Sequence, residues 1–330
     1  MAFLGSGWAK LLLFGEHAAV YGHPAVGLSL SAALQVYLQP EASGSWNFEG
    51  AREEDGEKIL QVLRLIMELA GEDGQKRRGG GRLALESSIP RGLGFGSSAC
   101  LCVALAAAVA AWRGESDTRR IWEWAHRAEQ LFHGTPSGID TGLALLGGLY
   151  SFRPDPPRLP DAEQLTGIPL YLVVGAVPRQ TSAGALIGAL RQKVTGGDRG
   201  ARKVLERLGM LAAEAAAILR AQPEGGACGS AAGELSDRAR EAQELLDSLG
   251  LSTPELDRLL EEGRAKGALG GKLSGAGGGG AFFLICADPE TARGAAAALR
   301  QLSRSLGLPT ADTIHPLSWM PESGGSVSTW

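Results

Sequence analysis

Residues 88–100 read SIPRGLGFGSSAC, a stretch with the makings of an anion site. Gly92, Gly94 and Gly96 alternate, so the backbone is free to take left-handed angles and approach a ligand closely. Ser97 and Ser98 follow, and fourteen consecutive apolar residues, Ala99 to Trp112, then read as a helix. A loop that enters a helix N-terminus presents free N–H groups and the positive end of the helix dipole, which suits phosphate. The two hydroxyls can donate to phosphate oxygens, and one can also bind magnesium. No lysine stands where a P-loop carries one, so a balancing cation has to come from elsewhere. By itself the pattern reads equally as a tight turn with a serine N-cap.

Three other stretches carry chemistry of their own. In HRAEQLFHGTPSGID (126–140), Glu129 and His133 lie four apart on one helical face, and the turn after them presents Asp140. One carboxylate can hold a metal while the other meets a substrate hydroxyl; the plainer reading is a capped helix and a polar turn. In KLLLFGEHAAVYGHPAV, Lys10 opens an apolar strand, where an ammonium needs either an anionic partner or a route to the surface. Glu16 and His17 follow that strand after Gly15, a position where polar groups often line a site, whereas His23 before Pro24 reads as surface. In KLSGAGGGGAFFLI (272–285) a glycine run separates two strand-like pieces, which favours close backbone approach over a flexible linker.

These residues need elements to hold them. Strands are expected at 8–14, within 25–39, and at 82–88, 147–152, 169–177 and 310–316, with two short ones flanking the glycine run. Helices are expected at 55–70, 97–112, 117–132, 182–194, 200–221, 234–248, 254–266 and 288–305. The first of them places Ile59, Val62, Leu63, Ile66 and Leu69 on one face. Ser116 or Asp117 caps the third, and Gly134 ends it. Residues 153–168 hold Pro154, Pro156, Pro157 and Pro160 and read as irregular, marking a boundary between domains at 1–158 and 159–330. Residues 223–233 read as a flexible connection and 321–330 as a frayed tail. The pattern is α+β.

With 330 residues, a net charge of −4 and a single basic cluster at 75–82, the chain has no face suited to nucleic acid. The longest apolar run falls short of the ~18–20 residues that span a bilayer, and no basic region precedes the N-terminal apolar stretch. Cys100, Cys102, Cys228 and Cys286 form no CxxC pair and read as reduced thiols, which points to the cytoplasm.

From residue 8 to 281 the four motifs, in this order, resemble the GHMP kinases. Within that family LFGEHAAVYGHPAV, HGTPSGID and VPRQTSAGALIGAL (177–190) look most like the mevalonate-phosphorylating branch. The resemblance implies a two-domain α+β fold, with an N-terminal half like ribosomal protein S5 domain 2 and a ferredoxin-like C-terminal half. It implies ATP and mevalonate as substrates, magnesium as cofactor, a cytoplasmic enzyme and, commonly, a homodimer. By the same likeness Gly92, Gly94, Gly96, Ser97 and Ser98 wrap the ATP phosphates, and Lys10 and Asp140 are catalytic. Ser98 and Glu129 hold magnesium, while Glu16, His17, Thr181, Ala276 and Gly277 lie on the acceptor side. Lys10 thus supplies the cation that the glycine loop lacks. The chain departs from the family pattern at Trp8-Ala9, where Pro-Gly is usual, and at Phe95 and Ser274. Phosphomevalonate kinase, a sugar kinase and a binding protein without catalysis remain alternatives.

Overall fold

The computed structural model describes residues 1–41, 44–71, 80–156, 158–166, 168–222, 229–320 and 327–329. Most of the basic cluster at 75–82, the start of the 223–233 connection with Cys228, and 321–326 of the tail lie outside the described residues. The chain forms two compact units: Met1–Lys10, Ala32–Ile89 and Gly96–Gly147 make the first, and Leu11–Ser31, Pro90–Phe95 and Gly148–Trp330 the second.

Two strands, β1 (Phe3–Phe14) and β2 (Ala25–Glu41), contribute to both units. In the first unit, residues 34–41 of β2 pair antiparallel with β4 (Gly80–Ser87), and β3 (Trp46–Glu49) adds parallel to β4. Four helices complete it: α1 (Gly56–Leu69), α2 (Ser97–Arg113), α3 (Thr118–His133) and α4 (Ile139–Leu146). The expected face of α1 is buried at Ile59, Val62, Leu63 and Ile66, with Met67 in place of the half-buried Leu69. Ten of the twelve residues from Ala99 to Ala110 in α2 are buried, as an apolar run requires.

The first strand begins five residues earlier than expected. Gly5 and Gly7 look like loop residues, yet a Cβ on Gly5 would lie 2.0 Å from the Ala104 carbonyl oxygen, and one on Gly7 2.3 Å from that of Cys100. Their smallness lets β1 press directly on the backbone of α2. Helix α4, by contrast, is not among the expected helices. Its eight residues lie between Gly138 and Gly147, too few to display a helical period.

In the second unit residues 25–28 of β2 pair with β5 (Leu149–Asp155), which pairs in turn with β6 (Arg158–Gln164). The expectation of an irregular 153–168 is therefore wrong for 153–155 and for 158–164. Strand β6 is an edge, where Pro160 need not donate to a ladder. A second, antiparallel sheet has the order β11-β10-β7-β9-β8, from β7 (Leu170–Val177), β8 (Gly270–Leu273), β9 (Gly280–Cys286), β10 (His315–Trp319) and β11 (Val327–Thr329). Strand β10 starts later than expected, because Ala311–Thr313 form a single 3-10 turn. The tail is ordered at β11, contrary to the expectation of fraying there. Helices α5 (Ala183–Thr195), α6 (Arg199–Arg220), α7 (Gly229–Ser248), α8 (Pro254–Ala265) and α9 (Pro289–Ser305) belong to the same unit. Its core gathers Val173, Leu208, Leu246, Leu259, Phe282 and Leu299. Among the described residues no helix is long and apolar enough to cross a membrane.

Candidate active site

Gly96 is the N-cap of α2 and holds a left-handed φ of 81°. Only glycine fits here, for a second reason as well: an added Cβ would come within 2.8 Å of Lys10 Cγ. The stem of Lys10 thus crosses the start of α2, and its ammonium reaches Asp140 Oδ2 at 3.1 Å. Lys10 is buried while the Asp140 side chain is 37% exposed, so the pair is sealed on one side and open on the other. Of the two fates expected for Lys10, pairing wins over snorkelling.

Asp140 stands in the first turn of α4, where the helix dipole favours a carboxylate. The turn before it is anchored from α3. Trp122 Nε1–H reaches the Gly138 carbonyl and Thr141 Oγ1, each at 3.1 Å, and the Thr141 hydroxyl donates to the same carbonyl at 3.0 Å. Neither Trp122 nor Thr141 was anticipated. Nothing in the spacing of a tryptophan on an amphipathic helix reveals which turn its N–H will meet.

Glu129, on α3, is 1% exposed, and its Oε2 has no hydrogen-bond partner among the described residues. Burial chiefly, and then the negative charge of Asp140, push its carboxyl up to about 8 against the pull of Lys10. One turn further on, His133 Nε2 lies 3.1 Å from the Ser98 hydroxyl in the first turn of α2. Ser97 is the first residue of the same helix. An orphaned, buried carboxylate oxygen is costly unless a cation meets it. Magnesium characteristically takes one or two protein oxygens and completes its shell with phosphate and water, so Glu129 and Ser98 suit it. Among the described residues no cluster of three or more His, Cys, Asp or Glu forms a self-sufficient metal cage. Cys100 donates its thiol to the Trp8 carbonyl at 2.9 Å, and burial pushes that thiol up, so it stays protonated and unreactive.

In the second unit, Gly92 and Gly94 hold left-handed angles of 73° and 92°. A Cβ on Gly94 would lie 2.9 Å from Arg179 Nη2. The same guanidinium donates to the Gly277 carbonyl at 3.4 Å and, among the described residues, forms no ion pair. The 275–280 run is a close-approach segment, as expected: a Cβ on Gly279 would meet the Pro178 carbonyl oxygen at 2.2 Å. Thr181 borders this run, its Cβ lying 3.7 Å from where a Cβ on Gly278 would be. His17 has a left-handed φ of 59°, and its Nε2–H donates to the Ala276 carbonyl at 3.2 Å. Burial, together with the charge of Lys272, holds its pKa down at about 4, so the imidazole is neutral. The Glu16 carboxylate accepts from the buried ammonium of Lys272. A lysine embedded beside an apolar strand was the available signal for that partner.

Transfer of a phosphoryl group to an alcohol asks mainly for positioning and charge stabilisation. A helix start, a lysine–aspartate pair and a buried free carboxylate on an α+β frame place the protein among the small-molecule kinases. The chain belongs to the GHMP kinase family: the model for the GHMP kinases N terminal domain matches residues 57–148, and that for GHMP kinases C terminal matches 224–304. It is 30% identical to a mevalonate kinase of Thermococcus onnurineus over 312 residues, covering 88% of this chain and 91% of the relative. The structure of L. major mevalonate kinase in complex with R-mevalonate superposes with a TM-score of 0.77 at 21% identity, covering 96% of each chain. Lactococcus lactis galactokinase complexed with galactose reaches 0.75 at 15% identity, covering 100% of this chain and 95% of its own. Likeness at this level speaks for the fold and leaves the acceptor open.

Proposed function

We propose that the protein transfers the γ-phosphoryl group of ATP to the primary hydroxyl of mevalonate, giving 5-phosphomevalonate and ADP. The Lys10–Asp140 pair at 3.1 Å carries the chemical part of this reading. Similarity to a mevalonate kinase over 88% of the chain supports the acceptor. Glu129 and Ser98 would hold magnesium, which neutralises phosphate charge when bound. The backbone N–H groups at the start of α2, with Ser97 and Ser98, bind phosphate oxygens, and Gly92, Gly94 and Gly96 let the loop come close. Asp140 accepts a hydrogen bond from the acceptor hydroxyl and takes its proton as the new O–P bond forms and the bond to the ADP oxygen breaks. Lys10 stabilises the charge on the transferred group. His17, Thr181, Ala276 and Gly277 are assigned to the acceptor by family resemblance, and the neutral imidazole of His17 fits a polar, uncharged hydroxyl.

Arg179 favours one second reading. A half-buried guanidinium with no ion pair among the described residues suits an acceptor that already carries phosphate. The deciding experiment is ADP release from ATP and magnesium with mevalonate, phosphomevalonate, homoserine or galactose. Turnover on mevalonate alone is expected. Turnover on phosphomevalonate instead would give Arg179 the acceptor's phosphate, and none on any acceptor would remove the kinase reading.

A further inference from the structure

Within the second unit three links tie residues 12–17 to residues 272–276. Leu12 N–H donates to Ser274 Oγ at 3.0 Å, Lys272 to the Glu16 carboxylate, and His17 Nε2–H to the Ala276 carbonyl at 3.2 Å. The middle link is a charge pair with both side chains 0% exposed. Lys272 Nζ also donates to the Leu273 carbonyl at 2.7 Å and lies 5.9 Å and 5.3 Å from the ring centroids of Phe14 and Phe283. Glu16 Oε2 is buried with no hydrogen-bond partner among the described residues.

As a source of stability this arrangement is poor. Desolvating two charges roughly cancels their attraction, and an orphaned carboxylate oxygen adds a further cost. What the pair does hold is geometry. His17 follows Glu16 directly, and it is the one non-glycine residue with positive φ among the described residues. Such a backbone persists only where its surroundings over-determine it. One side of the His17 turn is fixed by Glu16, and the other by the imidazole bond to Ala276, four residues beyond Lys272. Because a carbonyl only accepts, that bond requires the Nε2–H tautomer and leaves Nδ1 with a free lone pair.

We infer that Lys272 is a positioning residue for the acceptor-side turn of the second unit: by holding Glu16 it fixes the strained turn at His17, and with it the edge of the glycine run at Ala276. Glu16 on this account is not an acceptor contact but the handle by which Lys272 acts. The inference deepens the acceptor reading above and rests on it for its effect on turnover.

The test compares wild type with Lys272→Met, Glu16→Gln and the double variant. Two quantities are read: the exchange-protected Nε2–H resonance of His17 in the ligand-free protein, and the KM values for mevalonate and ATP. Glu16→Gln keeps an oxygen for Lys272 and is expected to preserve the His17 resonance. Lys272→Met is expected to lose the His17 resonance and raise the mevalonate KM about tenfold, the loss of roughly one hydrogen bond, with the ATP KM unchanged. The double variant buries no charge and so is expected to regain thermal stability. It regains neither the resonance nor the KM, whereas a purely structural role would be rescued. A double variant with wild-type resonance and KM would overturn the inference. So would a raised ATP KM in Lys272→Met, or a Glu16→Gln protein that loses mevalonate affinity while keeping the resonance. If wild type fails to use mevalonate, the acceptor reading falls, and the resonance alone decides whether Lys272 positions His17.

Discussion

Asp140 combines a buried ammonium on one side with solvent on the other, so a proton accepted from a substrate can leave. Replacing it with asparagine keeps the shape and removes the acceptor. Turnover is expected to fall by ~10²–10⁴-fold, the usual share of general-base catalysis, with ATP affinity retained in calorimetry. Near-normal turnover would remove Asp140 from its role. Glu129 has a different signature. Its carboxyl is raised from 4.5 to about 8, so the folded protein binds a proton that the unfolded chain lacks across that window. Its contribution to stability is therefore fully present below 4.5 and declines as pH rises toward 8. Unfolding of the ligand-free protein, followed from pH 5 to 8, is expected to show this decline (flattened in Glu129→Gln). The same variant is expected to need at least ~10-fold more magnesium for half-maximal turnover, and an unchanged titration would count against the metal role.

Between elements, β1 and α2 touch backbone to backbone. A methyl on Gly7 has no flexible side chain to push aside, since its three nearest neighbours are all backbone atoms of Cys100. Gly7→Ala is expected to cost roughly 2–3 kcal/mol and to lower turnover, because Lys10 lies three residues further along the same strand. Denaturant unfolding checks the first effect, and wild-type stability would show that β1 yields without strain. Trp122→Phe probes α3 and α4. It keeps a smaller aromatic ring, deletes the N–H that reaches Gly138 and Thr141, and leaves space where the rest of the buried indole was. A loss of roughly 1–3 kcal/mol in stability, from the hydrogen bond and the space left behind, should accompany a fall in turnover that leaves the ATP KM alone, as steady-state kinetics would reveal.

At the scale of the whole molecule, ligands that bind only the folded chain stabilise it by mass action. ADP with magnesium at 100 times its dissociation constant is expected to add ~2.7 kcal/mol, raising the melting temperature by roughly 4 °C. Calorimetry of wild type against Glu129→Gln checks this, since the variant should lose most of the shift when magnesium is present. Equal shifts in the two proteins would place magnesium elsewhere. Family membership belongs to this scale too, because the matched segments, 57–148 and 224–304, fall in both halves of the chain.

The amino-acid sequence by itself determined the features that neighbouring residues encode. The alternating glycines before Ser97, a cap of α3 at Ser116 or Asp117 with its stop at Gly134, and the shared face of Glu129 and His133 are all turn chemistry or helical period. Only the tertiary structure decided which charges pair. Lys10 takes Asp140 from across the first unit, and Glu16 takes Lys272, 256 residues away. It also decided that Gly5 and Gly7 belong to a strand and that a proline-rich stretch supplies β6, because close packing and edge position are properties of the neighbours. Periodicity and capping act over a few residues, whereas the cost of burying a charge depends on what the folded chain brings against it.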